Sequence, residues 1–275
     1  MSLALFQILC LPVLLLSYGL VLWRSQDRAS DAYTIGWLTV AAWAGEQTCI
    51  SWYGFYTYSD AWSLKLGHVP VLVALIWPMV VLSAREFAKA LWPARQGWRL
   101  ACIIGVLVIF DASLIEVCAV RAGYWSWFEG GYMGVPLMGL IGWGAFAFSA
   151  TFFLDSRGWT RRAAPILTLV LTHALLLALW WGLFRWGLRD DLGPRAVVGF
   201  AGFSAGVTIF VWLSRRRMAL STLVARAAAT SVFVALIVST DQGDYLWGHF
   251  GLVAVPYLLA SPRPWGRTSE ADVGG

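Results

Sequence analysis

The sequence predicts an all-α fold, a polytopic helical membrane bundle of about eight or nine transmembrane helices with an internal parallel repeat. Three observations predict it. Of 275 residues, 59% are hydrophobic and 13% charged, with a mean hydropathy of +0.68; soluble domains run at roughly 45–50% apolar and about 25% charged. Apolar runs recur along the chain at the length of about 17–25 residues that crossing a bilayer requires. Two stretches of the chain also resemble each other. Residues 1–262 therefore read as a single integral membrane domain, and 263–275 as a polar, disordered cytoplasmic tail.

The first apolar run, 3–23, has the position of a signal peptide. No Lys or Arg precedes Arg24, however, and no small-x-small cleavage site follows, so it reads as a retained span. Further spans read at 33–50, 68–84, 100–120, 135–154, 164–184, 196–213 and 219–238, with a short ninth at 246–261. The four cysteines, Cys10, Cys49, Cys102 and Cys118, lie in or at the ends of these runs without CxxC spacing. They read as small buried hydrophobes.

Loop charge orients the spans. With the N-terminus outside, Arg24, Arg28, Arg85, Lys89, Arg95, Arg99, Arg157, Arg161, Arg162, Arg215, Arg216, Arg217, Arg263 and Arg267 fall on the inner side. Only Lys65, Arg121, Arg185, Arg189 and Arg195 fall outside. The expected location is a bacterial inner membrane, multi-pass, N-terminus outside. The net charge of +5 is spread over short loops rather than gathered on a soluble face, so no nucleic-acid partner is expected.

In the repeat, the first copy runs Trp52-Tyr53-Gly54-Phe55-Tyr56-Thr57-Tyr58, then Gly67-His68-Val69-Pro70 and Trp77. The second runs Tyr124-Trp125-Ser126-Trp127-Phe128, then Met133-Gly134-Val135-Pro136 and Trp143. In both, Trp follows Pro by seven residues and a carboxylate, Glu46 or Glu116, lies upstream. Proline suits the start of a helix, where its missing N–H breaks no bond, so each Val-Pro is expected to open a span. A weaker third copy reads from Asp241 to Pro256. The bland alternative is the ordinary interfacial belt of Trp and Tyr.

Ionisable groups inside spans are costly and mark functional candidates. Glu46, Asp111, Glu116, His173 and Arg226 fall there, while His68 and His249 stand at span starts. Burial disfavours the charged form of a carboxyl, which suits Glu46, Asp111 or Glu116 to act as a Brønsted acid. The structural alternative for each is a packing role, for Arg226 an ion pair with Asp111. No nucleotide loop, HExxH or CxxC appears, and three histidines are too few for a di-metal site. No metal and no cofactor are expected.

These residues resemble the bacterial and archaeal membrane family of carotenoid biosynthesis proteins, among them the bisanhydrobacterioruberin hydratase and the gamma-carotene 1′-hydratase. The resemblance rests on Gly45-Glu46; on Tyr56-Thr57-Tyr58-Ser59-Asp60 with Lys65-Leu66-Gly67-His68-Val69-Pro70 and Trp77; and on Asp111, Glu116, Gly123-Tyr124-Trp125, Gly130-Gly131-Tyr132, Gly134-Val135-Pro136 and Gly142-Trp143. Two departures stand out. Met138-Gly139 occupies the place of the family's usual Ser-Asn, and Glu116 that of an Asp. The resemblance implies cofactor-independent, acid-catalysed hydration of a terminal isoprenoid double bond. Glu46, Asp111 and Glu116 would be the catalytic acids and bases, and Trp52, Tyr56, Tyr58, His68, Trp125, Trp127 and Tyr132 would bind the substrate. The partners implied are a carotenoid or other polyisoprenoid and membrane lipid. Two other readings stay open, a non-catalytic carotenoid- or lipid-binding protein and a small proton-coupled transporter. Both copies of the repeat enter from one side, which weakens the transporter reading, since many transporters pair inverted repeats.

Overall fold

Ser2 and Asp27 open the first two helices by accepting from N–H groups that have no partner inside the helix. The Leu5 N–H donates to Ser2 Oγ at 3.3 Å and the Ser30 N–H to Asp27 Oδ1 at 3.0 Å. The computed structural model describes residues 1–131, 133–156, 158–184, 193–214, 217–239, 244–258 and 261–263. Among these residues the α-helices are α1 (Leu3–Arg24), α2 (Arg28–Thr48), α3 (Val71–Leu91), α4 (Gly97–Arg121), α5 (Leu137–Leu154), α6 (Gly158–Leu179), α7 (Gly193–Ser214), α8 (Leu220–Ser239) and α9 (Asp244–Leu258). Each predicted span overlaps one of these helices, the ninth as far as Leu258. Pro70 and Pro136 stand immediately before α3 and α5, as N-caps, where the repeat led us to expect helix starts.

Among the described residues six helices are long and apolar enough to cross a membrane: α1, α3, α4, α5, α6 with its continuation, and α8. The chain is an all-α polytopic membrane bundle. α2 carries Asp31 and Glu46 and is less apolar. α9, with 15 residues, reaches about 22 Å against a hydrocarbon core of about 30 Å.

The bundle is layered from inside out. Of α4's most apolar window 72% is buried, against 22% for α1 and for α6. Leu5, Ile8, Leu11 and Leu15 on α1, with Ile166 and Val170 on α6, are exposed, an arrangement that water penalises and lipid does not. α4 and α5 approach closely where Gly105 meets Gly144. A Cβ on Gly144 would lie 2.9 Å from the Gly105 carbonyl oxygen, so small residues set this spacing.

Short strands decorate one end of the bundle: β1 (Tyr56–Tyr58), β2 (Lys65–Leu66), β3 (Val69–Pro70) and β4 (Trp125–Trp127). β5 (Arg217–Ala219) and β6 (Ser261–Arg263) pair in parallel elsewhere. β1 and β4 pair antiparallel in the register Tyr56 with Trp127, Thr57 with Ser126 and Tyr58 with Trp125. The two repeat copies thus meet on an approximate two-fold centred at Thr57 and Ser126.

Two expectations need correction. Val255-Pro256 lies inside α9 instead of preceding a helix, so the third copy does not share the architecture of the other two. His249 is buried within α9 and is hydrogen-bonded to Ser113 Oγ at 2.9 Å, rather than standing at a span start. Asp241 and the expected tail beyond Arg263 lie outside the described residues.

Candidate functional site

α2 and α4 each carry one acid to the same end of the bundle. Beyond Glu46, α2 widens into a π-helical turn, Cys49–Tyr53, closed by Gly54 in the left-handed conformation at φ 62°. That turn sends the chain back into β1, over the acid. Trp77 Nε1 donates to Glu46 Oε1 at 2.9 Å, and Tyr58 Oη to Oε2 at 2.8 Å. Tyr56 Oη donates to the same Oε2.

Glu116 repeats the pattern with different donors. Trp143 Nε1 reaches Oε1 at 2.7 Å; Trp125 Nε1 and Trp127 Nε1 reach Oε2 at 2.8 and 3.0 Å. In each half, Oε2 takes two donors from the aromatic strand and Oε1 takes the tryptophan that follows the proline. Those two tryptophans, Trp77 and Trp143, stack with centroids 4.0 Å apart and an interplanar angle of 25°.

Both acids face one cavity of about 60 Å³, lined also by Tyr58, Trp127, Thr172 and His173 and, among the described residues, by no Lys or Arg. Each carboxyl is therefore held by neutral donors alone. For Tyr56 and Tyr58, burial and then the neighbouring Glu46 carboxylate push the phenols well above the usual tyrosine range. They remain O–H donors across the physiological range.

A second, larger cavity of about 130 Å³ lies among α1, α3, α4, α8 and α9, and its wall is mostly apolar. Trp125 and Trp143 line both cavities, so the Glu116 cage separates an apolar chamber from the acid chamber.

Asp111 is placed apart from the two glutamates. It lines the larger cavity and forms a two-pronged ion pair with Arg226 of α8, at 3.0 and 3.3 Å. This is the packing role weighed for both residues. Of the expected substrate-binding residues, Tyr56, Tyr58, Trp125 and Trp127 are brought together as ligands of the acids. Trp52 is 78% exposed and lines neither cavity. His68 is exposed, with its backbone N–H donating to Gln47 Oε1 at 2.9 Å. Tyr132 lies outside the described residues.

The sequence reading passed over Trp77, Trp143 and Thr172 as site residues, although the matched proline-to-tryptophan spacing carried the signal for the first two. It also passed over Gly202-Phe203-Ser204-Ala205-Gly206, which has nucleophile-elbow spacing. That segment lies in the interior of α7, and Ser204 Oγ donates to the Leu252 carbonyl, so it does not have the strand–turn–helix setting of a nucleophile elbow. The bare Cα of Gly139 has a clear use. A Cβ there would lie 2.5 Å from Trp127 Cζ2, so the indole that reaches Glu116 fills the space a side chain would need.

The sequence model of the carotenoid biosynthesis proteins matches residues 3–201. The chain belongs to this family. No curated protein and no solved structure matches it. The match takes in both acids and all six of their donors, which ties this carotenoid biosynthesis protein's shared region to the paired cage. α8 and α9, which complete the apolar chamber and supply Arg226, lie beyond it.

Proposed function

We propose that this carotenoid biosynthesis protein is a membrane hydratase that adds water across a terminal isoprenoid double bond. One observation carries the reading: two buried carboxyls, held only by neutral donors, share a cavity that abuts a large apolar chamber. A carboxylic acid delivers its proton to the less substituted alkene carbon, and the electron pair of the double bond forms the new C–H bond. The tertiary cation left behind is stabilised by aromatic faces, by about 0.5–2 kcal/mol for each contact. Water attacks it, and the excess proton of that water returns to a carboxylate. Atoms and charge balance with water as the only co-reactant.

Glu46 and Glu116 serve as acid and base in this scheme, and the rest of the polyene extends into the chamber lined by Trp125 and Trp143. Asp111 keeps to its ion pair. The orientation that fits the loop charges puts the acid cavity toward the outer face of a bacterial inner membrane. The apolar chamber by itself would also suit a non-catalytic carotenoid-binding protein.

The test is co-expression with a pathway making lycopene or gamma-carotene, followed by mass spectrometry of the pigments. A product heavier by one water supports the hydratase. Unchanged pigment that co-purifies with the protein would replace it with the binding reading, and no effect on pigment would remove both.

A further inference from the structure

We propose that Thr172 of α6 holds the water that becomes the product hydroxyl. The inference rests on the hydratase reading above and assigns the second reactant a place. Three threonines of α2 return their hydroxyls to the carbonyl four residues back: Thr34 to Ser30, Thr39 to Ile35 and Thr48 to Ala44, at 2.6–2.9 Å. That bond is the default for a hydroxyl in an apolar setting. Thr172 does not make it. Its Oγ1 is buried without a hydrogen-bond partner among the described residues, in a residue 4% exposed.

Thr151, Thr168 and Thr208 share that state, but of the four only Thr172 lines the acid cavity. An unpaired hydroxyl is expensive in a membrane interior, so one that faces a cavity implies a polar occupant. The cavity, about 60 Å³, exceeds the roughly 10–15 Å³ that one water requires. It leaves room for the tip of an alkene beside it.

The occupant also needs further partners, since a buried water makes about three hydrogen bonds. His173, the next residue, lines the same cavity. A carboxylate offers about four acceptor positions, and each glutamate has three occupied, leaving one at Oε1. A water bonded to Thr172 Oγ1 and to one such oxygen has its lone pair directed at the cation and its proton at the base.

The test runs the hydration in D2O in membranes from cells co-expressing the substrate pathway, comparing wild type, Thr172→Val and Thr172→Ser. If the water is misplaced, protonation continues but capture fails, and the cation loses H⁺ from a neighbouring carbon to re-form an alkene. Thr172→Val should therefore lose about tenfold in hydrated product while deuterium still enters the recovered alkene at the wild-type rate or faster. Thr172→Ser should restore hydration. Hydration by Thr172→Val at the wild-type rate would overturn the assignment. So would a parallel loss of hydration and deuterium uptake, which marks a structural role; should Thr172→Val fail to accumulate, Thr172→Ala is read by the same criteria. Absence of hydrated product from the wild type refutes the hydratase reading itself, a separate outcome.

Discussion

Tyr56 and Trp127 sit opposite each other across the β1–β4 ribbon, ring centroids 4.7 Å apart, yet donate to different carboxyls, Tyr56 to Glu46 and Trp127 to Glu116. The strand pairing thus holds the two acids in one unit, and displacing either strand disturbs both. Their cages differ in one chemical respect. A phenol can donate or accept, whereas an indole N–H only donates.

That difference separates two conservative variants. In Glu46→Gln the amide oxygen can face Trp77 and the NH2 can face the tyrosines, whose hydroxyls rotate to accept. In Glu116→Gln the NH2 must face at least one indole N–H. Both variants should lose hydration, but Glu116→Gln should also lose about 1–3 kcal/mol of stability, the cost of an unpaired buried donor, while Glu46→Gln stays near wild type. Thermal melting in detergent beside product analysis checks this; full activity in both variants would remove the acid assignment.

Gly139→Ala adds a methyl where the Trp127 ring lies. The indole has to move, at about 1–3 kcal/mol for overpacking, and its bond to Glu116 lengthens or breaks. Activity should fall more in Gly139→Ala than in Gly142→Ala, since a Cβ on Gly142 meets only Leu176 Cδ2, at 3.5 Å. Equal activity in the two variants would contradict the placement of Trp127.

For Asp111 and Arg226, removing one partner leaves the other's largely buried charge without its ion pair, at about 3–5 kcal/mol. Asp111→Leu alone should therefore melt much lower, and the double variant Asp111→Leu with Arg226→Met should recover most of the loss. The double variant should still form hydrated product. If it is stable but inactive, Asp111 takes part in the chemistry after all.

The phenols give a pH dependence. Because Tyr56 and Tyr58 hold their protons in the folded protein to well above the ordinary value of 10.0, the unfolded chain releases them first. Their contribution is complete below that ordinary value and is lost as pH rises above it toward the folded values. Alkaline titration of stability should fall more steeply in wild type than in the Tyr56→Phe, Tyr58→Phe double variant.

The membrane bundle was legible because hydrophobicity over about 20 residues is a strong, local signal, and Pro70 and Pro136 marked their helix starts for an equally local reason. The acids and the four strand aromatics were legible through the repeat. The β1–β4 ribbon was not. Its pairing joins Thr57 to Ser126, far apart in the chain, and each strand has only three residues, too few to show an alternation. Trp52 and His68 drew attention through their motifs, but a motif does not fix which way a side chain points. Thr172 left no mark in the sequence because its distinction is a hydrogen bond it does not make.

A ribbon whose centre pairs Thr57 with Ser126 is one that two identical half-length chains could build by meeting on a two-fold axis. In such an assembly symmetry would oblige both acids to carry the same donors. A single polypeptide is free of that obligation. Here one glutamate takes two tyrosines and the other two indoles, while Trp77 and Trp143 hold matching places in the two halves and stack on each other.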